Sequence, residues 1–569
     1  LFGRTWLELL WIRDLLWFGQ HSFQLSLPFI KMRRRVRASS FDGPDISNQV
    51  CDGTSNASKV DGDQYPLNSK RLFPLLLAFR MANALLIQTY FNPDEHWQSL
   101  EVAHRHVFGY GHLTWEWRSG IRSFLHPMIF SVLYKVLKAL KLDTPWFMIR
   151  SPRLLQSFSS AIGDLYMFKL TRAIFGCSVA KWALFAQLSN WFMFYCFNRT
   201  LSNCLETVLL LVSLYYWPSV RFSAGKDRPV SRRWAVTIAA LSCAIRPTSA
   251  ISLIYVFVLE MSFTASKLSF FFLEVIPIGS LVLCFSCLLD RWMYGFWIFT
   301  PLNFIKFNLL SSGGSYYGTH KWHWYFSQGF PAILFTFTPF TLIGIVRAKY
   351  YKLSGLLLWV LISYSLLGHK EFRFVLPVLP IALIFAGYSL AAMVNVKDQT
   401  SRHSICSSRI GVSVLFLLIT NIPMALYMSV VHQRGSESVM GYLSHEAQYK
   451  KVKSVLFLMP CHSTSYYSTL HVNLPMRFLD CSPSESRDIA DESDTFMMDP
   501  LGFTAAIAKN GSLASHIVMF DSEENVLKDF LASHSFFESK RFFHSHFKVD
   551  REINGAVVVY TSTKETPAY

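Results

Sequence analysis

The stretch Leu353-Ser354-Gly355-Leu356-Leu357-Leu358-Trp359-Val360-Leu361-Ile362-Ser363-Tyr364-Ser365-Leu366-Leu367-Gly368 is followed by His369-Lys370-Glu371-Phe372-Arg373-Phe374 and then by Val375-Leu376-Pro377-Val378-Leu379-Pro380-Ile381-Ala382-Leu383-Ile384-Phe385-Ala386. It reads as two apolar runs parted by one short charged block. A membrane-crossing helix needs about 20 mostly apolar residues. Runs of that kind, some short or interrupted, recur near 72–91, 125–141, 154–175, 178–197, 203–220, 234–245, 249–262, 268–290, 329–347, 353–368, 373–394 and 410–431. Composition agrees: 51% of the residues are hydrophobic, 16% aromatic and only 16% charged, which favours an integral membrane fold.

Lys and Arg outnumber Asp and Glu by 54 to 37, a net charge of +17. The excess gathers in short loops between apolar runs, such as Arg221 to Arg233 and Arg347 to Lys352, the positive-inside pattern of membrane proteins. No continuous basic groove or nucleic-acid motif accompanies it, so nucleic-acid binding is set aside. With loops 221–233, 347–352 and 397–409 on the cytosolic side, the loops 92–124, 291–328 and 369–372 and everything after 432 fall on the lumenal side. Two full crossings between 154 and 197 would then put the sequon Asn198-Arg199-Thr200 on the cytosolic side. A re-entrant segment or a hidden crossing is required, and the total is expected to be odd, about 11 to 13.

Residues 1–70 read as a cytosolic, disordered tail in which 1–31 lack signal-peptide features and Met32-Arg33-Arg34-Arg35 is a more natural start. Residues 71–431 form the membrane domain. From 432 to 569, short β-branched runs at Ser454–Met459, Ile517–Phe520 and Ala556–Tyr560 alternate with polar and helix-like stretches, the signature of an α/β domain of about 130 residues. Most cysteines lie in or beside apolar runs, but Cys461 and Cys481 fall in the polar region, where an oxidising lumen permits a disulfide.

The first lumenal loop opens Phe91-Asn92-Pro93-Asp94-Glu95-His96-Trp97-Gln98-Ser99-Leu100-Glu101. Asn92 suits a helix N-cap and Pro93 the first helical position. Acids in a first turn complement the helix dipole, and Glu95, three residues after Asn92, has the spacing of a capping-box partner. Asp94 has no equally good structural job. A carboxylate at the membrane boundary is placed to take a proton from a sugar hydroxyl. One such base suffices for an inverting displacement, whereas retention would require a nucleophile as well.

Farther along, Tyr110-Gly111-His112-Leu113-Thr114-Trp115-Glu116-Trp117-Arg118 and Arg122 interleave aromatics with charges. Interfacial anchoring explains the aromatics; stacking on a sugar while Glu116 and Arg122 fix hydroxyls is the functional alternative. In 369–374 the cations His369, Lys370 and Arg373 either snorkel to the interface or hold a lipid-linked phosphate, for which Arg gives paired hydrogen bonds. Arg246, beside Pro247, is costly within an apolar stretch unless it is partnered or lines a cavity, and is a second phosphate candidate. Arg199, Asn203 and Glu206 share one helical face. The loop 303–328, with Gly313-Gly314, His320, His323 and Trp324, reads as a mobile wall. With no convincing third ligand beside the two histidines, a metal-free site is expected.

Five blocks in order, 91–98, 110–117, 199–203, Trp322-His323-Trp324-Tyr325-Phe326-Ser327-Gln328-Gly329 and 369–374, resemble the dolichol-phosphate-mannose-dependent α-mannosyltransferases. The stretch 459–479 resembles the branch of that family acting on glycosylphosphatidylinositol (GPI) intermediates. The resemblance spans roughly residues 71 to 560. It implies a multi-pass, mainly α-helical endoplasmic reticulum protein of glycosyltransferase C fold with a small lumenal α/β domain. The implied reaction is inverting α1,2-transfer of a third mannose from dolichyl-phosphate mannose to the second mannose of a GPI intermediate, without cofactor. It implies Asp94 as base with Glu95 next, and phosphate binding by Arg373 and Lys370; His369 and Arg246 join them as phosphate candidates on charge and position, and substrate contacts are expected from Trp97, Gln98, Trp115, Glu116, Trp117, Arg122, Arg199, Asn203, His323 and Trp324. Two rivals are a sister enzyme acting on the N-glycan precursor and a lipid transporter or scramblase, the latter disfavoured by the absence of an inverted repeat.

Overall fold

The computed structural model describes residues 69–221, 229–310, 318–395, 403–482, 491–509, 511, 513–547 and 555–563. Residues 1–68 of the N-terminal tail, Gly313-Gly314, parts of the basic loops 221–233 and 397–409, and Asn56 and Asn510, each the first residue of an Asn-X-Ser sequon, lie outside these residues. From Leu75 onward the chain forms one compact unit.

Among the described residues, four helices are long and apolar enough to cross a membrane: Lys267–Tyr294, Tyr325–Ala348, Phe372–Val394 and Arg409–Gln448; Ser202–Tyr216, Pro247–Phe263 and Tyr351–Leu366 are shorter and apolar. Many apolar side chains on the outer faces are exposed, Leu281 by 73%, which suits contact with lipid. Where helices meet, glycine permits backbone contact. A Cβ on Gly344 would lie 1.9 Å from the Phe385 carbonyl oxygen, and one on Gly387 would lie 2.3 Å from the Ala183 amide nitrogen.

Side-chain ties sort the helix ends into two sets. At one end Gln88 N–H donates to Ser429 O, Arg153 Nη1 to Ile87 O, Arg199 Nη1 to Thr89 O and Asn203 Nδ2 to Arg373 O. At the other, Tyr350 Oη donates to Val220 O, Ser219 N–H to Glu260 and Arg232 to Glu274. The runs between these ends are Ser69–Leu86, two parts of Pro145–Ser189, Ser202–Tyr216, Pro229–Ile245, Pro247–Phe263, Lys267–Tyr294, Tyr325–Ala348, Tyr351–Leu366, Phe372–Val394 and His403–Val430, eleven among the described residues.

This path removes the parity conflict of the sequence reading. The apolar run 125–141 does not traverse: the helix Leu125–Ala139 stays at the first end, with Tyr134 Oη bonded to Met148 O and Lys138 Nζ to Val107 O. The two parts of Pro145–Ser189 divide at Gly176, whose φ of 86° and ψ of 176° break the helix in a conformation that suits glycine. The return part is extended by Trp191–Cys196, capped by the Asn190 side chain on Met193 N–H. Asn198 therefore stands at the same end as Asp94. It is buried, and its Nδ2 is bonded to Arg80 O and Asn83 Oδ1. Deep in the helices Arg80 pairs with Asp164 at 2.6 Å, and Gln187 donates to the same carboxylate, so a charge that would be costly alone ties three runs together.

After the helix His403–Val430 the described residues hold a five-stranded sheet: β1 (Val455–Leu458), β2 (Met476–Phe478), β3 (His516–Phe520), β4 (Phe536–Phe543) and β5 (Ala556–Ser562), ordered β2-β1-β3-β5-β4. The first three strands are parallel, and β5 runs antiparallel to both β3 and β4. One face packs on the helix Gly435–Gln448 through Val439, Met440 and Leu443; the other packs on Phe496, Ile507 and Leu527.

Cys461 and Cys481, 20 residues apart, are disulfide-bonded. The loop they close presses His462, Thr464 and Tyr466 on Trp97. A cross-link of that span stabilises by about 3 kcal/mol through loop entropy. Cys461→Ser should therefore lower the melting temperature of the detergent-solubilised protein and speed proteolysis between 461 and 481; unchanged values for both would refute this role.

Candidate active site

Asp94 sits at the start of the helix that follows the first traverse. Asn92 caps it: Oδ1 accepts the Asp94 N–H at 3.0 Å. The helix then passes through a π turn, His96–Leu100, before continuing as Glu101–Phe108; such irregular turns are frequent at functional sites. The wide turn places Asp94 and Gln98 in a common cleft while Glu95 points inward.

That cleft encloses roughly 560 Å³, its open mouth included, and is lined by Asp94, Gln98, Trp117, Arg122, Ser123, His126, Ser202, Arg246 and Thr300 among others. Its walls are fixed from behind. Asp290 accepts Phe124 N–H, Ser123 Oγ and Thr300 Oγ1 at 2.8 to 3.0 Å. Glu116 holds Gln98 Nε2 at 3.0 Å and Arg122 Nη2 at 2.9 Å. Arg246 is paired with Glu206 at 3.1 Å and donates to Ser202 Oγ, so Glu206 serves Arg246 and not the Arg199 cluster suggested by helical spacing.

Arg373 forms an ion pair with Asp94 through Nη1. Its Nε and Nη2 each donate to Glu371, at 2.7 Å. The structure thus brings Asp94, Gln98, Trp117, Arg122 and Arg246 to one cleft, with Trp117 also packed on Val102 and Phe124, Arg373 against Asp94 and Glu116 behind Gln98 and Arg122.

Other sequence candidates lie elsewhere. Glu95 does not close a capping box: it is fully buried, with Oε1 on Arg153 at 3.0 Å and Oε2 on Arg199 at 2.8 Å. Burial alone would raise its carboxyl pKa, but the two guanidiniums outweigh that and hold it below the usual range. Arg199 is consumed by Glu95, Thr89 and Tyr195 O. Trp97 is buried against the C-terminal sheet domain, its indole N–H on Thr464 O at 2.9 Å. Trp115 packs on Phe307, with ring centroids 5.1 Å apart. Lys370 is buried and its ammonium donates to the carbonyls of His320, Leu367 and Gly368, tying two loops together. His369 bonds Glu371. His323 bonds Ser327, and Trp324 stacks on His320. Among the described residues, the one group with metal-ligand geometry is Cys461, His462 and Cys481, none of which lines this cleft; its two cysteines form the disulfide.

Sequence reasoning missed Arg153, Glu437 and Asp290. Arg153 Nη2 reaches Glu437 at 2.9 Å, and Glu437 also meets His96 at 3.1 Å. Glu101 accepts Tyr466 N–H, Ser468 N–H and Ser468 Oγ; burial raises its pKa despite these donors. The helix carrying Asp94 is therefore braced by the C-terminal domain at Glu101 and Trp97, and at His96 by Glu437 in the helix leading into the sheet.

A multi-pass body of apolar helices, a cleft with one carboxylate and convergent arginines, and a terminal sheet domain define a membrane-embedded glycosyltransferase of glycosyltransferase C fold. ArnT from Cupriavidus metallidurans bound to undecaprenyl phosphate shares that fold, with a TM-score of 0.54 at 12% identity over 86% of this chain and 98% of that one. The Alg9-like mannosyltransferase family profile matches residues 71–471, and the chain belongs to that family. Its relatives include Mannosyltransferase APTG1 of Arabidopsis thaliana, 62% identical over 88% of this chain and 93% of the relative. GPI alpha-1,2-mannosyltransferase 3 of Bos taurus is 41% identical over 84% and 86%.

Proposed function

We propose that the protein transfers the third mannose, in α1,2 linkage, from dolichyl-phosphate mannose to the second mannose of a GPI intermediate at the lumenal face of the endoplasmic reticulum membrane. The chemistry rests on one observation: Asp94 and Arg246 line a single cleft, and Arg373 stands against Asp94. The acceptor supports the same reading through the relatives named for it, which match this chain over most of their length. Orientation is supported by charge, since Arg347, Lys349 and Lys352 cluster between the helices Tyr325–Ala348 and Tyr351–Leu366, at the end opposite Asp94, as cytosolic loops do.

In this mechanism the Asp94 carboxylate takes the proton of the acceptor hydroxyl, whose oxygen attacks the anomeric carbon. The bond from that carbon to the phosphate oxygen breaks, and dolichyl phosphate leaves with the electron pair. A β donor gives an α product, so a single inversion is required, and one base is enough. Arg373 and Arg246 stabilise the departing phosphate. Gln98 and Arg122, both held by Glu116, face the sugars. With two arginines supplying positive charge, this scheme needs no metal.

Cells lacking the protein should accumulate a GPI intermediate with two mannoses, read by mass spectrometry of lipid extracts. Accumulation of a truncated lipid-linked oligosaccharide with normal GPI intermediates would overturn the acceptor assignment and favour the N-glycan reading.

A further inference from the structure

We infer that Glu371 is the positioning residue of the phosphate site, fixing the Arg373 guanidinium and linking it, through Asn92, to the helix that carries Asp94. The inference rests on the donor reading just proposed. Its basis is the number and arrangement of the donors that converge on one carboxylate. Oε1 accepts from Arg373 Nη2 at 2.7 Å and meets His369 Nε2 at 3.0 Å. Oε2 accepts from Arg373 Nε at 2.7 Å and from Asn92 Nδ2 at 3.0 Å. The backbone is pinned as well: Tyr325 Oη donates to Glu371 O at 2.9 Å and accepts the Glu371 N–H at 3.1 Å.

Two consequences follow from this geometry. A guanidinium held on its Nε and Nη2 edge cannot swing about its last side-chain bonds, so its remaining Nη1 edge is presented in one direction, toward Asp94. Preorganised donors of this kind stabilise a departing anion without having to reorganise as it leaves. Asn92, meanwhile, spends one end of its amide on Glu371 and the other on the Asp94 N–H. The base and the phosphate arginine are thereby set in register by a single side chain.

Glu371 is not itself suited to act as base. Each of its oxygens already has two partners, and it is not among the residues lining the cleft. Burial would raise its pKa, but Arg373 first and His369 second outweigh that and hold it well below the usual carboxylate range. It stays charged, as the partner of a fixed arginine must.

The experiment uses the full-length protein in detergent and two readouts. Direct binding of dolichyl phosphate is expected to weaken about 10-fold or more in Glu371→Gln, as supporting-shell losses typically do; the amide places an N–H against the Arg373 donors. Glu371→Asp, which keeps the charge, should recover part of the loss. In the transfer assay the KM for dolichyl-phosphate mannose should rise while the KM for the GPI acceptor holds, with melting temperature near wild type. Equal dolichyl phosphate binding by wild type and Glu371→Gln overturns the inference, as does a fall in melting temperature and kcat with donor KM unchanged. If wild-type protein binds dolichyl phosphate and Glu371→Gln does not, yet no mannose is transferred, the phosphate-site assignment stands and the donor-sugar reading fails.

Discussion

Asp94→Asn should lower mannose transfer per molecule by about 10²- to 10⁴-fold, the usual worth of a positioned general base, while protein abundance in microsomes stays at the wild-type level. The substitution keeps the side chain's shape but removes its ability to accept a proton from the acceptor hydroxyl. The fold should tolerate it. Asp94 is partly exposed in the cleft, with 18% of its side chain accessible, and its side-chain ion-pair partner Arg373 remains held by Glu371. The Asn92 cap bonds the backbone of Asp94 and not its carboxylate. Loss of the ion pair therefore costs little structure, and the activity deficit should appear in kcat with added dolichyl-phosphate mannose at saturation. Transfer by Asp94→Asn at the wild-type rate per molecule would refute Asp94 as the base.

The membrane helices and the start of the helix that carries Asp94 were legible because each is a local signal. An apolar run reports its own environment, and Asn92-Pro93-Asp94-Glu95 reports its own helix start. What the sequence could not give was partnership across the chain. Arg153 and Glu437 lie 284 residues apart, and Asn92 and Glu371 lie 279 apart; no periodicity within one element encodes such pairs. Glu95 illustrates the result. Spacing from Asn92 made it a capping partner, but three-dimensional packing put two arginines within reach, and a buried carboxylate gains far more from them than from an exposed cap. The run 125–141 failed for a related reason. One face of its helix is buried on the segment 100–108, through Phe130, Tyr134 and Leu137 on Leu100 and Ala103, while Val132 and Val136 stay exposed, and composition alone does not distinguish a helix that stays at one end from one that crosses. Lys370 looked like a free cation because its acceptors are backbone carbonyls, which every residue has and no sequence pattern marks.

Arg199→Ala should destabilise the protein by about 3–5 kcal/mol, since removing one partner of a buried ion pair leaves the other charge uncompensated. The guanidinium is fully buried. It bonds Glu95 Oε2 at 2.8 Å, Thr89 O at 2.7 Å, Thr89 Oγ1 at 2.9 Å and Tyr195 O at 3.0 Å, and it lies 4.4 Å from the Tyr195 ring centroid. Glu95 would keep Arg153, but Arg153 is shared with Glu437. The expected signature is opposite to that of Asp94→Asn: steady-state abundance and melting temperature fall, while donor KM in the surviving fraction changes little. Glu95→Gln combined with Arg199→Met should lose less than the sum of the two single changes, because the double variant no longer strands a charge. Acidification tests the same pair. Because the folded pKa of Glu95 is depressed, its stabilising contribution is complete above the ordinary Glu value of about 4.3 and disappears as pH falls through the lower folded value. Wild type should therefore lose stability in acid more steeply than Glu95→Gln, which has no proton to take up at that site. Additive losses in the double variant, with identical acid limbs for wild type and Glu95→Gln, would mean that the pair does not carry the stability assigned to it.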